Sequence, residues 1–275
     1  MLGFLKQTGL IMGTFREIVK KIPVLPFVYR ALHNRYAIYQ WKGKSTEDVF
    51  TGIYRSNAWR GKVSVSGTGS DVHQTIIITR ELPALFNDFN ISTMLDIPCG
   101  DFHWMKNVDL SSIDYTGADI VKELIRKNRE KYARDGVRFQ HLNLIKEKLP
   151  KVDLVFCRDC LAHFSFADIF LALDNVCNSQ SEYLLTTTFT GRIVNYDIVT
   201  GQWRTLNLEL APLVLPKPLK IINEGCTECD GAYKDKALGL WRIADIRESL
   251  TRRSKIKGTQ PFKSRPLRKT LYFKT

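Results

Sequence analysis

Between residues 71 and 243, short apolar runs alternate with longer amphipathic ones, and this alternation restricts the chain to few architectures. Residues 71–89 read as a helix despite Ile76-Ile77-Ile78, with Asp71 placed to cap its start. Thr93–Ile97 reads as a short buried strand and 101–108 as a short helical turn. Tyr115–Ile120, Val137–Leu142 and the almost wholly apolar Val152–Cys157 read as strands, and Val121–Ala133 and Phe166–Val176 as helices. Tyr183–Phe189 is a further strand, rich in Thr and Leu. The pattern then breaks into a long polar-aromatic segment, 190–218, which holds Pro212, Pro216 and Pro218. Leu219–Asn223 and Ala237–Ile243 close the series as two strands joined by a polar loop. Strands alternating with helices predict a parallel sheet with helices on both faces.

Charge divides the 275 residues into three parts. Residues 1–44 carry +7 and residues 251–275 carry +9, which leaves residues 45–250 at −3 of the total +13. The body is thus slightly acidic between two basic ends, an arrangement suited to arms that touch an anionic surface. Leu5, Met12 and Val19 fall at heptad spacing beside Phe15, Ile18 and several lysines. Residues 1–22 therefore read as a basic amphipathic helix, ending before Pro23, that could rest on a membrane surface. The N-terminus lacks the pattern of a secretory leader, and no stretch reaches the roughly 18–20 apolar residues of a membrane span. Six cysteines are too few for a disulfide scaffold, so a cytoplasmic setting is expected.

Ligands of parallel sheets bind at the carboxyl ends of the strands, where strand order reverses. Here the first strand runs into Ile97-Pro98-Cys99-Gly100-Asp101. Gly100 permits a tight turn close to a ligand. The second strand ends in Asp119, nineteen residues after Gly100, a spacing suited to a ribose diol. The phosphate-binding Gly-x-Gly-x-x-Gly pattern is absent, and acids at Asp96 and Asp101 oppose a pyrophosphate. Two carboxylates suit a nucleoside with cationic groups, such as S-adenosylmethionine.

Leu95-Asp96-Ile97-Pro98-Cys99-Gly100-Asp101 resembles the first motif of class I S-adenosylmethionine-dependent methyltransferases. Tyr115–Ile120 resembles their second motif and Val152–Cys157 their fourth strand, in matching order over residues 72–243. More narrowly, the chain resembles a bacterial-type group in the Leu-Asp-Ile-Pro-Cys-Gly-Asp-Phe run, Ser66–Ser70, Cys157–Leu161 and Lys236–Trp241. The resemblance implies an α/β, Rossmann-like, seven-stranded, mostly parallel sheet with a final antiparallel hairpin. It implies S-adenosyl-L-methionine as cofactor. Asp96 with the Cys99 and Gly100 backbone would hold the methionine part, flanked by Pro98 and Asp101. Asp119 would bind the ribose hydroxyls, Ile120 would lie against the adenine, and Asn143 beside Leu144 would meet its amino group. Arg158 and Asp159 would close the pocket. Asp101 and Phe102 stand where many members carry glycine.

A hydroxyl or amine acceptor benefits from a base. Asp159, His163, Asp197 and Glu224 lie at strand ends as candidates, and Asp159 is also placed to orient the acceptor. Segment 190–218, with Arg192, Asn195, Tyr196, Asp197, Trp203, Arg204 and Asn207, reads as an acceptor loop suited to a polar ring, hence a small-molecule or glycan acceptor. Cys157/Cys160 and Cys226/Cys229 form two Cys-x-x-Cys pairs, but their separation exceeds that of compact zinc modules, and no metal is expected. The alternatives left open are an inactive docking module of the same fold and a nucleic-acid methyltransferase using the basic tails. The acidic body and the lack of a nucleic-acid motif count against the latter.

Overall fold

The computed structural model describes residues 25–256. The chain divides into two compact units, Met1–Ser45 and Thr46–Thr275. In the first, α1 spans Leu25–Trp41. The amphipathic pattern expected in residues 1–22 lies outside the described residues. Pro26 sits in the first turn of α1, where its missing N–H leaves no bond unmade, so the proline begins a helix.

The second unit opens with α2 (Thr46–Arg55), whose first turn carries Glu47 and Asp48 and whose inner face buries Val49, Phe50 and Ile53. Next comes α3 (Val72–Asp88). It is helical through the three isoleucines because only Ile78 of them turns into the core, with Leu82, Leu85 and Phe86 on the same face. Asp71 occupies the N-cap position but its side chain makes no capping bond, contrary to the expectation. The strands are β1 (Thr93–Asp96), β2 (Asp114–Asp119), β3 (Val137–His141), β4 (Leu154–Cys157), β5 (Tyr183–Phe189), β6 (Lys220–Asn223) and β7 (Lys236–Arg242). Between them run α4 (Lys122–Tyr132) and α5 (Phe166–Asn178), and α6 (Ile243–Ile256) follows β7. The expected turn at 101–108 shrinks to a single 3-10 turn, Met105–Asn107. Helix α6 carries regular structure six residues into the basic segment 251–275; the rest of that segment lies outside the described residues.

The sheet order is β3-β2-β1-β4-β5-β7-β6. The first five are parallel, and β7 lies antiparallel between β5 and β6. This is the Rossmann-like sheet expected from the sequence. Strands β4 and β5 are buried along their whole length, as a sheet covered on both faces requires. Asp153 registers β4 on β1: its Oδ2 accepts from the Ser92 and Thr93 backbone N–H and hydroxyl groups at 2.8–3.0 Å. Order reverses between β1 and β4, so a crevice opens at their carboxyl ends. Among the described residues, no helix is long and apolar enough to cross a membrane.

Candidate functional site

A cleft of about 1100 Å³, counting the part open to solvent, lies over those carboxyl ends. Its floor is built from the ends of the first four strands. Its roof comes from α2 and the segment after it, through Phe50, Tyr54, Trp59 and Ser66. All ten residues expected on the cofactor side line it: Asp96, Pro98, Cys99, Gly100, Asp101, Asp119, Ile120, Asn143, Leu144 and Arg158. Asp159 and His163 line it as well. Asp197 does not. Its Oδ1 accepts from the Phe166 and Ile198 N–H groups at 2.7 and 2.9 Å, at the start of α5.

The turn after β1 is drawn tight by β2. Cys99 N–H donates to the Ala118 carbonyl at 2.8 Å. Asp119 accepts from Gly100 N–H at 3.3 Å and from Val121 N–H at 2.9 Å. Gly100 has a φ of +54°, and a Cβ there would stand 2.2 Å from Ser66 Oγ. Gly100→Ala is therefore expected to lower stability by about 1–3 kcal/mol in urea unfolding, and an unchanged midpoint would contradict this account of the turn. The residues standing in place of glycines have their own work. The Asp101 carboxylate accepts from Ser64 Oγ and Val65 N–H at 2.9 and 3.0 Å, fastening the roof segment. Phe102 packs into the core between Tyr115, Tyr132 and Phe139, with ring centroids 5.1–5.3 Å apart.

Two buried carboxylates face this floor. Asp96 accepts from the Tyr115 hydroxyl at 2.6 Å. Burial, aided by the Asp119 charge and opposed by Tyr115 and Arg158, pushes its pKa up to about 8. Burial also lifts Asp119, to about 6, against the N–H groups that favour its anion. At neutral pH Asp96 holds a proton and Asp119 is largely ionised. Asn143 Oδ1 accepts from Ile145 N–H at 2.9 Å, which keeps one lone pair for another donor.

Beyond β4 lies a buried charge network. Arg158 spans Glu224, with Nη2 2.6 Å and Nε 3.2 Å from Oε2, and also donates to the Gly69 carbonyl at 2.8 Å. Lys236 Nζ is 2.6 Å from Asp159 Oδ2 and 3.5 Å from Glu224. Burial would raise the Asp159 pKa, but Lys236 and Arg158 outweigh it and hold the carboxyl near 2. Such a group is a poor proton acceptor at neutral pH and a good fixed anion. Its backbone φ of +53° is unusual for a non-glycine residue, and its N–H is held by Thr187 Oγ1 at 2.8 Å.

His163 ends the 3-10 turn Leu161–His163, with the Trp59 ring 5.0 Å from its own. Its Nδ1 is 2.9 Å from the Gln202 carbonyl oxygen. A carbonyl only accepts, so Nδ1 carries the proton and Nε2 the lone pair. Burial pulls the His163 pKa down to about 4, so the ring is neutral at pH 7. No residue of 190–218 lines the cleft. Asn195 and Asn207 tie that segment to itself, and Arg192 pairs with Asp235 at 2.7 Å. Cys157 and Cys160 lie buried at the end of β4, Cys226 is buried and Cys229 exposed. Among the described residues no three His, Cys, Asp or Glu side chains converge as a metal site would require.

The profile of a family described as "Methyltransferase domain" matches residues 95–185, from β1 into β5. That match covers about a third of the chain. No curated protein matches the sequence. Among solved structures, human N-acetylserotonin methyltransferase in complex with SAM is similar over 80% of this chain and 69% of that one, with TM-score 0.51 and 15% identity. The [4+2]-cyclase SpnF is similar over 72% of this chain and 96% of that one, with TM-score 0.51 and 13% identity. Such identities show a shared fold, the one the class I methyltransferase resemblance implied. One neighbour is named a methyltransferase and the other a cyclase, so the reaction must be argued from the site.

Two parts of the site escape a reading of the sequence. The roof residues Phe50, Tyr54 and Trp59 come from a stretch without a long period. Lys236 stands at the head of an apolar strand, and although Lys236–Trp241 carries part of the resemblance, nothing in it gives the lysine a role.

Proposed function

We propose that the protein binds S-adenosylmethionine in this cleft and transfers its methyl group to a hydroxyl or amine of a small-molecule acceptor. The observation that carries the reading is the pair of buried carboxylates, Asp96 and Asp119, at the ends of neighbouring strands in the cleft floor. Acids so placed suit a ligand that brings ribose hydroxyls and a positive charge. The residues present fit the cofactor. Asp119 offers acceptor oxygens to a ribose, and Ile120, Leu142 and Leu144 offer apolar walls beside Asn143. The Gly100 turn leaves backbone open where a side chain would intrude. When bound, the cofactor supplies an electrophilic methyl group. The chain's own part is then mainly to position the acceptor. Asp159, locked by Lys236 and Arg158, orients it, and His163 Nε2 takes its proton.

The test is calorimetric titration of the purified chain. Micromolar binding of S-adenosylhomocysteine and none of NAD is expected; no binding of either would overturn the reading. The same method reads the carboxylate. A cation beside Asp96 favours its ionised form, so S-adenosylmethionine binding at pH 7 should release up to about one proton. Repeating the titration in buffers of different ionisation enthalpy measures this number. It should vanish above about pH 9, where Asp96 is already ionised. No release at pH 7 would place the positive charge elsewhere. His163→Asn should keep S-adenosylhomocysteine affinity and lower turnover on a screened acceptor by roughly 100-fold or more. Full turnover would remove His163 as the base.

A further inference from the structure

We infer that Arg204 is a positioning residue for His163, and that residues 197–204 form a bracket that fixes the tautomer and placement of that histidine. The inference rests on His163 acting as the proton acceptor.

The bracket meets the turn 162–166 at five backbone groups. Arg204 N–H donates to the Ala162 carbonyl at 3.1 Å and Gly201 N–H to the His163 carbonyl at 2.8 Å. Arg204 Nη1 donates to the Phe164 carbonyl at 2.8 Å and to that of Ala162 at 3.3 Å. Three consecutive carbonyls, centred on His163, are thus held from one side. The N–H groups that follow are held too: Ser165 N–H by Thr200 Oγ1 at 2.8 Å, Phe166 N–H by Asp197 Oδ1 at 2.7 Å. The imidazole itself is tied through Nδ1–H to the Gln202 carbonyl. So the segment read as an acceptor loop stands behind the proton acceptor and holds it in place.

Arg204 is an expensive way to hold two carbonyls. It is fully buried, and its Nε and Nη2 have no hydrogen-bond partner. Burial depresses even its pKa, to about 10. A neutral amide could supply the donors without burying a charge. The charge has a use at His163. Around the imidazole, Asp159 favours its cation, while Arg204 and Lys236 oppose it. Burial is the main reason the ring stays neutral against the pull of that fixed anion, and the Arg204 charge adds to it. Arg204 offsets that pull from behind, where no ligand in the cleft can displace it.

The experiment is an imidazole nitrogen–proton correlation spectrum of the full chain over pH 4 to 8. The His163 signals are assigned by their loss in His163→Asn. The wild-type ring should show the neutral Nδ1–H form down to about pH 4. In Arg204→Met the midpoint should rise while staying below the ordinary histidine value, because burial remains, and the Nε2–H form should appear. Arg204→Lys, which restores the charge, should bring the midpoint back down. S-adenosylhomocysteine affinity should change by less than about two-fold in each, because Arg204 lies outside the cleft. If Arg204→Met fails to give a folded spectrum, Arg204→Gln retains a donor without the charge and is read in the same way. A wild-type midpoint and tautomer in the neutral variant would overturn the inference. Full turnover by His163→Asn would remove the base reading alone, since the spectra are recorded without any acceptor.

Discussion

Asp119→Ala will lose S-adenosylhomocysteine binding while the protein stays folded. In the proposed complex this carboxylate takes both ribose hydroxyls, two charge-assisted hydrogen bonds worth about 1.5–3 kcal/mol each. Their loss weakens binding by roughly 100-fold or more, beyond easy detection for a micromolar ligand. Folding is spared because two effects oppose each other. The variant gives up acceptors for Gly100 and Val121 N–H, but it also removes a charge the fold buries at a cost. The sign follows from the raised pKa. A carboxyl lifted from 3.8 to about 6 favours the folded state below pH 3.8, and that contribution is lost as pH rises through 6. At pH 7 the ionised group is a liability, so its removal offsets the lost bonds. Calorimetry and a thermal melt check both halves; wild-type affinity in the variant would sink the assignment of Asp119.

Glu224→Ala should be a strongly damaging substitution in the charge network behind the cleft. Arg158 and Lys236 would share Asp159 as their remaining ion-pair partner, inside a region where their side chains are 4% and 5% exposed. Breaking a buried pair by removing one member costs about 3–5 kcal/mol, because the partner's charge remains without solvent. For a domain of this size that lowers the melting temperature by roughly 10 °C. A second variant isolates the cause. Glu224→Leu with Arg158→Leu removes one charge of each sign and should lose less than Glu224→Ala alone. If the double variant is the less stable of the two, shape rather than charge balance holds this wall together.

Where local pattern and tertiary demand agree, the fold was legible. A strand such as Tyr183–Phe189 is apolar because both its faces are covered, and the sequence places its ends as the structure does. The cofactor side was legible for a related reason: its residues hang from consecutive strand ends, so order along the chain becomes proximity in space. The acceptor side was harder. Asp197 and Glu224 both follow the pattern of strand-end acids, and only the fold turns one to a helix start and the other into an ion pair. Segment 190–218 has the length and composition of a ligand loop, but composition does not tell which side of the protein such a loop serves. Pro23 reads as a terminator, while Pro26, three residues on, sits in the first turn of α1, because proline is compatible with a first turn.

The insertion of β7 between β5 and β6 has a consequence for how the protein is made. Arg158 emerges from the ribosome well before Glu224 and Lys236, the two residues that complete its buried surroundings. Until synthesis passes β7, the nascent chain holds a crevice whose wall carries unbalanced charge and whose sheet ends at the exposed edge of β5. The sheet and the charge network behind the cleft are therefore finished by the same late hairpin, and a chain released before residue 236 completes neither.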